Sequence, residues 1–206
     1  MALTNYTELK ASIADFLNRD DLTSVIPDFI TLAETVMNRE VRHWRMEKRA
    51  TAVLDSQYTA LPTDFLEPIR MSLNTANTNT LEMVNAFQIS NLRAQNLNTS
   101  GRPVNFAILD GSIEAFPSPD ASYTLEMLYY ETIDPLNAQT ATNWVLTNYP
   151  DAYLYGSLVH SAPYLQEDTR ANTWAALYQK AINDINLESE RSKTSGSGRR
   201  MKIRSY

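Results

Sequence analysis

The spacing of apolar residues changes twice along this chain, and that change limits the folds open to it more than any single residue does. In "NYTELKASIADFLNRDD", Leu9, Ile13, Phe16 and Leu17 fall on one face of a helix, with Asn5 placed to cap it and Glu8 three residues on. In "SVIPDFITLAETVMNREV", Ile26, Ile30, Ala33, Met37 and Val41 recur at helical spacing. Ser24 is the candidate cap there, and Pro27 sits in the first turn, where a missing N–H costs nothing.

The period then drops to two. "RATAVLD" and "QYTALP" flank Asp55–Ser56 as a short hairpin. Pro62 and Pro68 surround a turn before a strand at Ile69–Leu73, "NTLEMV" reads as another strand, and "NAFQISNLRAQN" as a short helix capped by Asn85. The clearest hairpin is "PVNFAILDGSIEAFPSP", in which Val104, Phe106 and Ile108 alternate and Asp110–Gly111 supplies the tight turn. "SYTLEMLYYETI" extends the sheet, with Tyr123, Leu125, Met127 and Tyr129 on one face. Helical spacing returns at Leu154, Leu158, Ala162 and Leu165, then at Ala171, Trp174, Tyr178, Ala181 and Ile185 behind a cap at Asp168. The expected class is therefore α+β. Residues 1–45 and 143–190 make an antiparallel helical bundle, 46–142 an inserted β-rich domain, and 191–206 a flexible, basic C-terminal tail.

Composition narrows the function. No cysteine is present, which removes disulfides, thiolate nucleophiles and sulfur-ligated zinc, and fits a reducing cytosol. No apolar run approaches the roughly 20 residues of a membrane helix, and "MALTNYTELK" has neither the basic nor the apolar region of a signal peptide. The net charge of −6 is uneven: residues 191–206 hold six basic side chains and no acidic one, leaving −12 on the rest. A second basic cluster, "REVRHWRMEKR" at 39–49, raises the share of these two stretches to 11 of the 18 basic residues. So acidic a remainder repels nucleic acid, which disfavours general binding to it but leaves local basic docking open.

Chemistry-bearing patterns are sparse. His43 and His160 lie in different helical segments without metal spacing; His160 reads as a hydrogen-bonded structural residue and His43 as surface or interface. Asp110 with Glu114, and Glu167 with Asp168, are explained by turn chemistry and helix N-terminal charge. The arginines at 39–49 either satisfy the last carbonyls of the second helix or meet a partner. With five glycines there is no phosphate loop and no nucleophile elbow. The expectation is a protein without catalytic, cofactor or metal site.

The early helix "IPDFITLAETVMNREVR", the entry "YTALPTDFLEPIRM", the strand pair "AILDGSIEAFPSPDASYTLEMLYY" and the closing "YPDAYLYGSLVHSAPYLQEDTRANTWAALYQKAINDIN" together resemble tailed-phage head–tail adaptors, nearest to the tail tubular protein A-like adaptors of short-tailed phages. The resemblance covers about residues 5–190 and rests most on the "Leu-Pro-x-Asp-Phe" turn and the "Tyr-Leu-Tyr-Gly" helix. It implies antiparallel helices with an inserted β domain. It also implies a structural virion protein made in the host cytoplasm: a ring of twelve copies beneath the portal, meeting a tail nozzle or tube protein and passing DNA without specific binding. A different neck component such as a stopper, or a nucleic-acid-binding module using the basic tail, are the alternatives.

In the tail, "RRMKIRSY" alternates Met201 and Ile203 with Arg200, Lys202 and Arg204 behind a Gly-Ser-Gly hinge. An extended segment added to a sheet edge or groove has this pattern. Arg199, Arg200, Met201, Lys202, Ile203, Arg204 and Tyr206 are thus the residues expected to contact the portal or a neighbouring subunit.

Overall fold

The computed structural model describes residues 3–74, 79–96, 99–165 and 169–195. They form six α-helices and two four-stranded sheets, a mixed α+β fold. The chain divides into two compact units: Met1–Trp44 with the chain from Ile133 onward, and Arg45–Thr132 between them.

The first unit is helical. Helix α1 (Tyr6–Leu17) begins where Asn5 Oδ1 accepts the Glu8 N–H at 3.0 Å. The Glu8 carboxylate reaches back one residue further than a simple capping box, to the backbone and hydroxyl of Thr4. Helix α2 (Ile26–Glu40) is capped at Val25 with no side-chain bond, so the expected cap at Ser24 is not used; Pro at its start fixes the first turn instead. Helix α4 (Trp144–Asn148) is a short turn absent from the periodicity, started by Asn143. Helices α5 (Pro150–Leu165) and α6 (Ala171–Thr194) follow. Helix α5 packs against α1, α2 and α6.

That central position explains why α5 shows no single apolar stripe. Ala152, Tyr153, Leu154, Gly156, Ser157, Leu158 and Ser161 are all buried, around most of its circumference. Along α6 the expected seam forms at Trp174, Tyr178, Ala181 and Ile185, whereas Ala171 is only half-buried; Ile182 is buried beside the seam and Ser189 continues it. The helix runs to Thr194, so residues 191–194, assigned above to the tail, are its last turn. Its N-cap is Arg170; the expected cap, Asp168, lies outside the described residues.

The second unit is a two-sheet core with one helix. Sheet A has the order β1 (Glu47–Leu54), β8 (Tyr123–Glu131), β3 (Phe65–Leu73), β4 (Asn79–Thr80); sheet B has β2 (Tyr58–Ala60), β7 (Ser112–Phe116), β6 (Asn105–Leu109), β5 (Glu82–Met83). The expected hairpin around Asp55–Ser56 does not form. Strand β1 pairs with β8 from Glu47↔Tyr130 to Leu54↔Tyr123, and β2 pairs with β7 in the other sheet. Two residues can turn a chain from one sheet to the next as readily as back on itself, and the buried faces of β8 and β7 decide between these. "NTLEMV" likewise divides: β4 joins sheet A, β5 joins sheet B, and buried Leu81 sits between them. The β6–β7 hairpin forms as read, with φ of +46° at Asp110 and +68° at Gly111, the left-handed pair that a tight two-residue turn requires.

Strand alternation sorts side chains to two faces. Leu54, Met71, Leu73, Leu125, Met127 and Tyr129 from sheet A meet Phe106, Ile113 and Ala115 from sheet B in one core. The opposite face of sheet B sends Ala107 and Phe116 against Ile89 of helix α3 (Ala86–Gln95). That helix starts at a complete capping box between Asn85 and Gln88.

Candidate interaction surfaces

Arg199, Arg200, Met201, Lys202, Ile203, Arg204 and Tyr206 lie outside the described residues. The structure does describe what the rest of the chain commits to its own fold, and hence which groups are left for partners. The basic cluster at 39–49 is largely committed. Arg42 Nη1 donates to the carbonyls of Asn38 (3.0 Å) and Val41 (2.7 Å), and Arg39 Nε to that of Thr35, so these arginines do satisfy the end of α2. Lys48 bridges Asp64 and Glu131, and Arg49 pairs with Glu126. Burial together with the Asp64 carboxylate pushes the Tyr129 phenol up to about 12, so Tyr129 remains a donor to that carboxylate.

His43 is not a surface residue. It is fully buried and stacks on Trp144 with ring centroids 5.0 Å apart, with Tyr149 edge-on at 6.1 Å. The cause is the segment after α2, held along α6 by side-chain to backbone bonds. Asn186 Oδ1 accepts from the Arg42 N–H, its Nδ2 donates to the Glu40 carbonyl, and Ser189 Oγ accepts from the Trp44 N–H. His160 is half-buried, and burial with nearby Arg39 holds its pKa below the usual histidine value; no hydrogen bond to it forms among the described residues.

The segment that begins at Ile133 is held to α2 in the same manner. Asn38 Oδ1 accepts from the Ile133 N–H at 2.8 Å, and Glu34 Oε1 from the Leu136 N–H at 2.7 Å. Glu34 is buried and also accepts from the Tyr153 hydroxyl, which in turn accepts from Asn143 Nδ2; that amide nitrogen donates to the Asp134 carbonyl as well. Desolvation raises the Glu34 pKa above its ordinary 4.5 despite those two donors, and raises that of Tyr153 more strongly. A raised carboxyl pKa means that ionising Glu34 costs folding energy. That cost disappears as pH falls from the folded pKa towards 4.5, so this group adds stability on acidification. Glu34→Gln keeps an oxygen acceptor for Leu136 and Tyr153. Denaturant titrations from neutral pH to 4.5 should show the variant's advantage over the native chain shrinking as pH falls. A difference that stays constant with pH would show that Glu34 does not titrate in this way.

In the second unit, alternation along β7 turns Ile113 and Ala115 into the core and Glu114 towards α3. There Arg93 meets it: Nη2 lies 2.8 Å and Nε 3.2 Å from Glu114 Oε1, Nη1 donates to Ser118 Oγ, and Nη2 also donates to the Ala115 carbonyl. The Arg93 guanidinium further lies over the Phe116 ring, 5.5 Å from its centroid. Turn chemistry therefore accounts for Asp110 but not for Glu114, which belongs to a buried ion pair 21 residues apart in sequence.

Sequence reading missed the chain-holding residues Glu34, Asn38, Asn186 and Ser189, and the pair Arg93–Glu114. The legible signal was polar residues at positions that periodicity buries: Ser189 extends the α6 seam, and Glu114 stands between buried Ile113 and Ala115. The described residues contain no group of acidic or histidine side chains able to hold a metal ion, and no helix among them is long and apolar enough to cross a membrane.

No curated protein matches the chain. The profile of the SU10 adaptor protein family matches residues 4–201. Helices from both ends of the chain, the strand-rich middle and the segment beyond α6 as far as residue 201 lie inside that match, and the protein belongs to this family of phage head–tail adaptors.

Proposed function

We propose that the protein assembles as a twelve-membered ring beneath the portal, extends the DNA channel, and joins it to a tail nozzle or tail tube protein. The observation that carries this reading is the family match across residues 4–201. Membership implies a place at the head–tail junction of a virion, with portal and tail components as partners. In this reading the helices before and after the β-rich insertion act as one antiparallel bundle. The contacts of α5 with α1, α2 and α6 support that arrangement.

Two physical features agree with a conduit. Outside the last sixteen residues the chain carries −12, which favours DNA sliding past over DNA binding. A ring also needs two different faces on each copy, and exposed apolar side chains occur on both α2 (Leu32) and α6 (Leu177, Leu187). The C-terminal residues Arg199–Tyr206 fasten the ring to the portal or to a neighbouring subunit.

The test is imaging of the protein mixed with its portal. Added density below the portal ring, with matching rotational symmetry, is the expected result; bare portal rings at saturating protein would overturn the reading. Removing residues 196–206 should weaken this assembly, and unchanged assembly would remove the tail from the attachment.

A further inference from the structure

The second unit holds a cleft of about 630 Å³ between β2 and α3, lined by Gln57, Tyr58, Ser90, Arg93, Ala94 and Glu114 among others. It is shallow and open, and its polar groups are unevenly used. Glu114 is only 6% exposed. Three donors converge on its Oε1: Arg93 Nη2, Arg93 Nε, and Gln57 Nε2 at 2.9 Å. Among the described residues Oε2 accepts nothing, although its carboxylate lines the cleft. Gln57 Nε2 also donates to the Tyr58 hydroxyl, so the carboxamide nitrogen is committed to the protein. The Ser90 hydroxyl hydrogen goes to the Ala86 carbonyl.

What remains towards the cleft is Glu114 Oε2, the oxygens of Gln57 and Ser90, and one donor, the Tyr58 hydroxyl hydrogen; Arg93, which also lines the cleft, directs its donors to Glu114 Oε1, Ser118 and Ala115. Antiparallel pairing sets Tyr58 directly across from Glu114, on the same face of the sheet, and its ring is 55% exposed. An aromatic wall beside an unmatched carboxylate oxygen suits a cation with several N–H donors, which it can meet by charge-assisted hydrogen bonding and by contact with the ring face.

The geometry points to this cleft as the receptor for an arginine or lysine side chain from the C-terminal segment of a second copy. Charge complementarity selects that occupant. Residues 199–204 carry four cations and no anion, whereas residues 45–132 carry ten acidic against six basic side chains. Eleven residues follow Ser195, a length that can span up to roughly 36 Å when extended. Met201 and Ile203 alternate with the cations, so a strand lying along the cleft presents cations to one side and apolar side chains to the other. The second copy is the neighbour in the proposed ring, and in that respect the inference rests on the ring reading. The pairing of segment and cleft is a property of the chain itself.

The experiment uses the full-length chain with Arg199, Arg200, Lys202 and Arg204 all changed to Gln, so that its own segment does not compete. A fluorescent peptide of residues 196–206 is titrated against it by anisotropy at low and high salt. Binding is expected, weaker at high salt, and absent for a peptide carrying the same four changes to Gln. Ala94→Trp fills the cleft and Tyr58→Ala removes its wall; both sites are exposed, so folding is retained and is checked by melting. Each should weaken binding by about tenfold, the loss expected for one charge-assisted contact. Peptide affinity unchanged by both substitutions would overturn the assignment, as would equal binding of the Gln peptide. A native chain that sediments as a monomer yet binds peptide far more weakly than the Gln-substituted chain would show its own segment in the cleft, overturning the second-copy occupant. None of these failures alters the portal-imaging result, so the two readings fall separately.

Discussion

Arg93→Ala is expected to destabilise the β-rich unit by about 3–5 kcal/mol, the cost of leaving one member of a buried ion pair without its partner. The side chains of Arg93 and Glu114 are only 16% and 7% exposed, so solvent, which reaches them from the cleft alone, replaces little of what is lost. Glu114 would lose two of the three donors to Oε1, and the Ser118 hydroxyl and Ala115 carbonyl would each lose one. Arg93→Lys retains the charge but not the planar fork, and should fall between the two. Changing both Arg93 and Glu114 to Met should cost less than Arg93→Ala alone, because it removes the stranded charge and fills the volume. Denaturant unfolding, with hydrogen exchange on the β7 amides to locate the loss, checks the series. A cost for Arg93→Ala below about 1 kcal/mol would place this pair with exposed surface bridges.

Gly156→Val is expected to cost about 3 kcal/mol, in the upper range for overpacking a filled interior. Helix α5 passes α2 and α6 at this residue, and a Cβ there would stand 3.0 Å from Tyr178 Cε2 and 3.2 Å from Ala33 Cβ. Neither neighbour yields easily: Ala33 is fixed to the α2 backbone, and Tyr178 is buried with its hydroxyl making no hydrogen bond among the described residues. At an exposed helix position Gly→Ala would gain about 1 kcal/mol from propensity. Here Gly156→Ala should lose stability instead, and Val, with two more carbons at the contact, should lose more. Thermal melting decides the sign. A higher melting temperature for Gly156→Ala would mean that the helices separate at little cost. The "Tyr-Leu-Tyr-Gly" stretch thus owes its glycine to close helix packing.

Both substitutions act at residues whose roles were unequally legible. The helices and most strands followed from spacing, because 3.6- and 2-residue periods are imposed by backbone geometry and show wherever one face is buried. Helix α5 was legible only in part, since burial against three helices spreads its apolar residues around the axis. Strand partnership was less legible. The β6–β7 hairpin announced itself through Asp110–Gly111, a local turn, whereas β1 reached its partner β8 across the whole intervening unit and left no local trace. His43 misled because its arginine-rich neighbours suggested a solvent-facing turn, while Asn186 and Ser189 hold that segment against α6.

The α+β class, the caps at Asn5 and Asn85, the Asp110–Gly111 turn, the charge asymmetry and the resemblance to head–tail adaptors are all readable from the order of residues alone. Each of these depends on residues near one another in the chain or on composition alone. It takes three-dimensional packing to bury Glu114 against Arg93, to hold the chain after Ile133 by Glu34 and Asn38, and to open a polar cleft beside Tyr58. Those roles arise when elements distant in sequence are brought within about 3 Å, the range over which hydrogen bonds act.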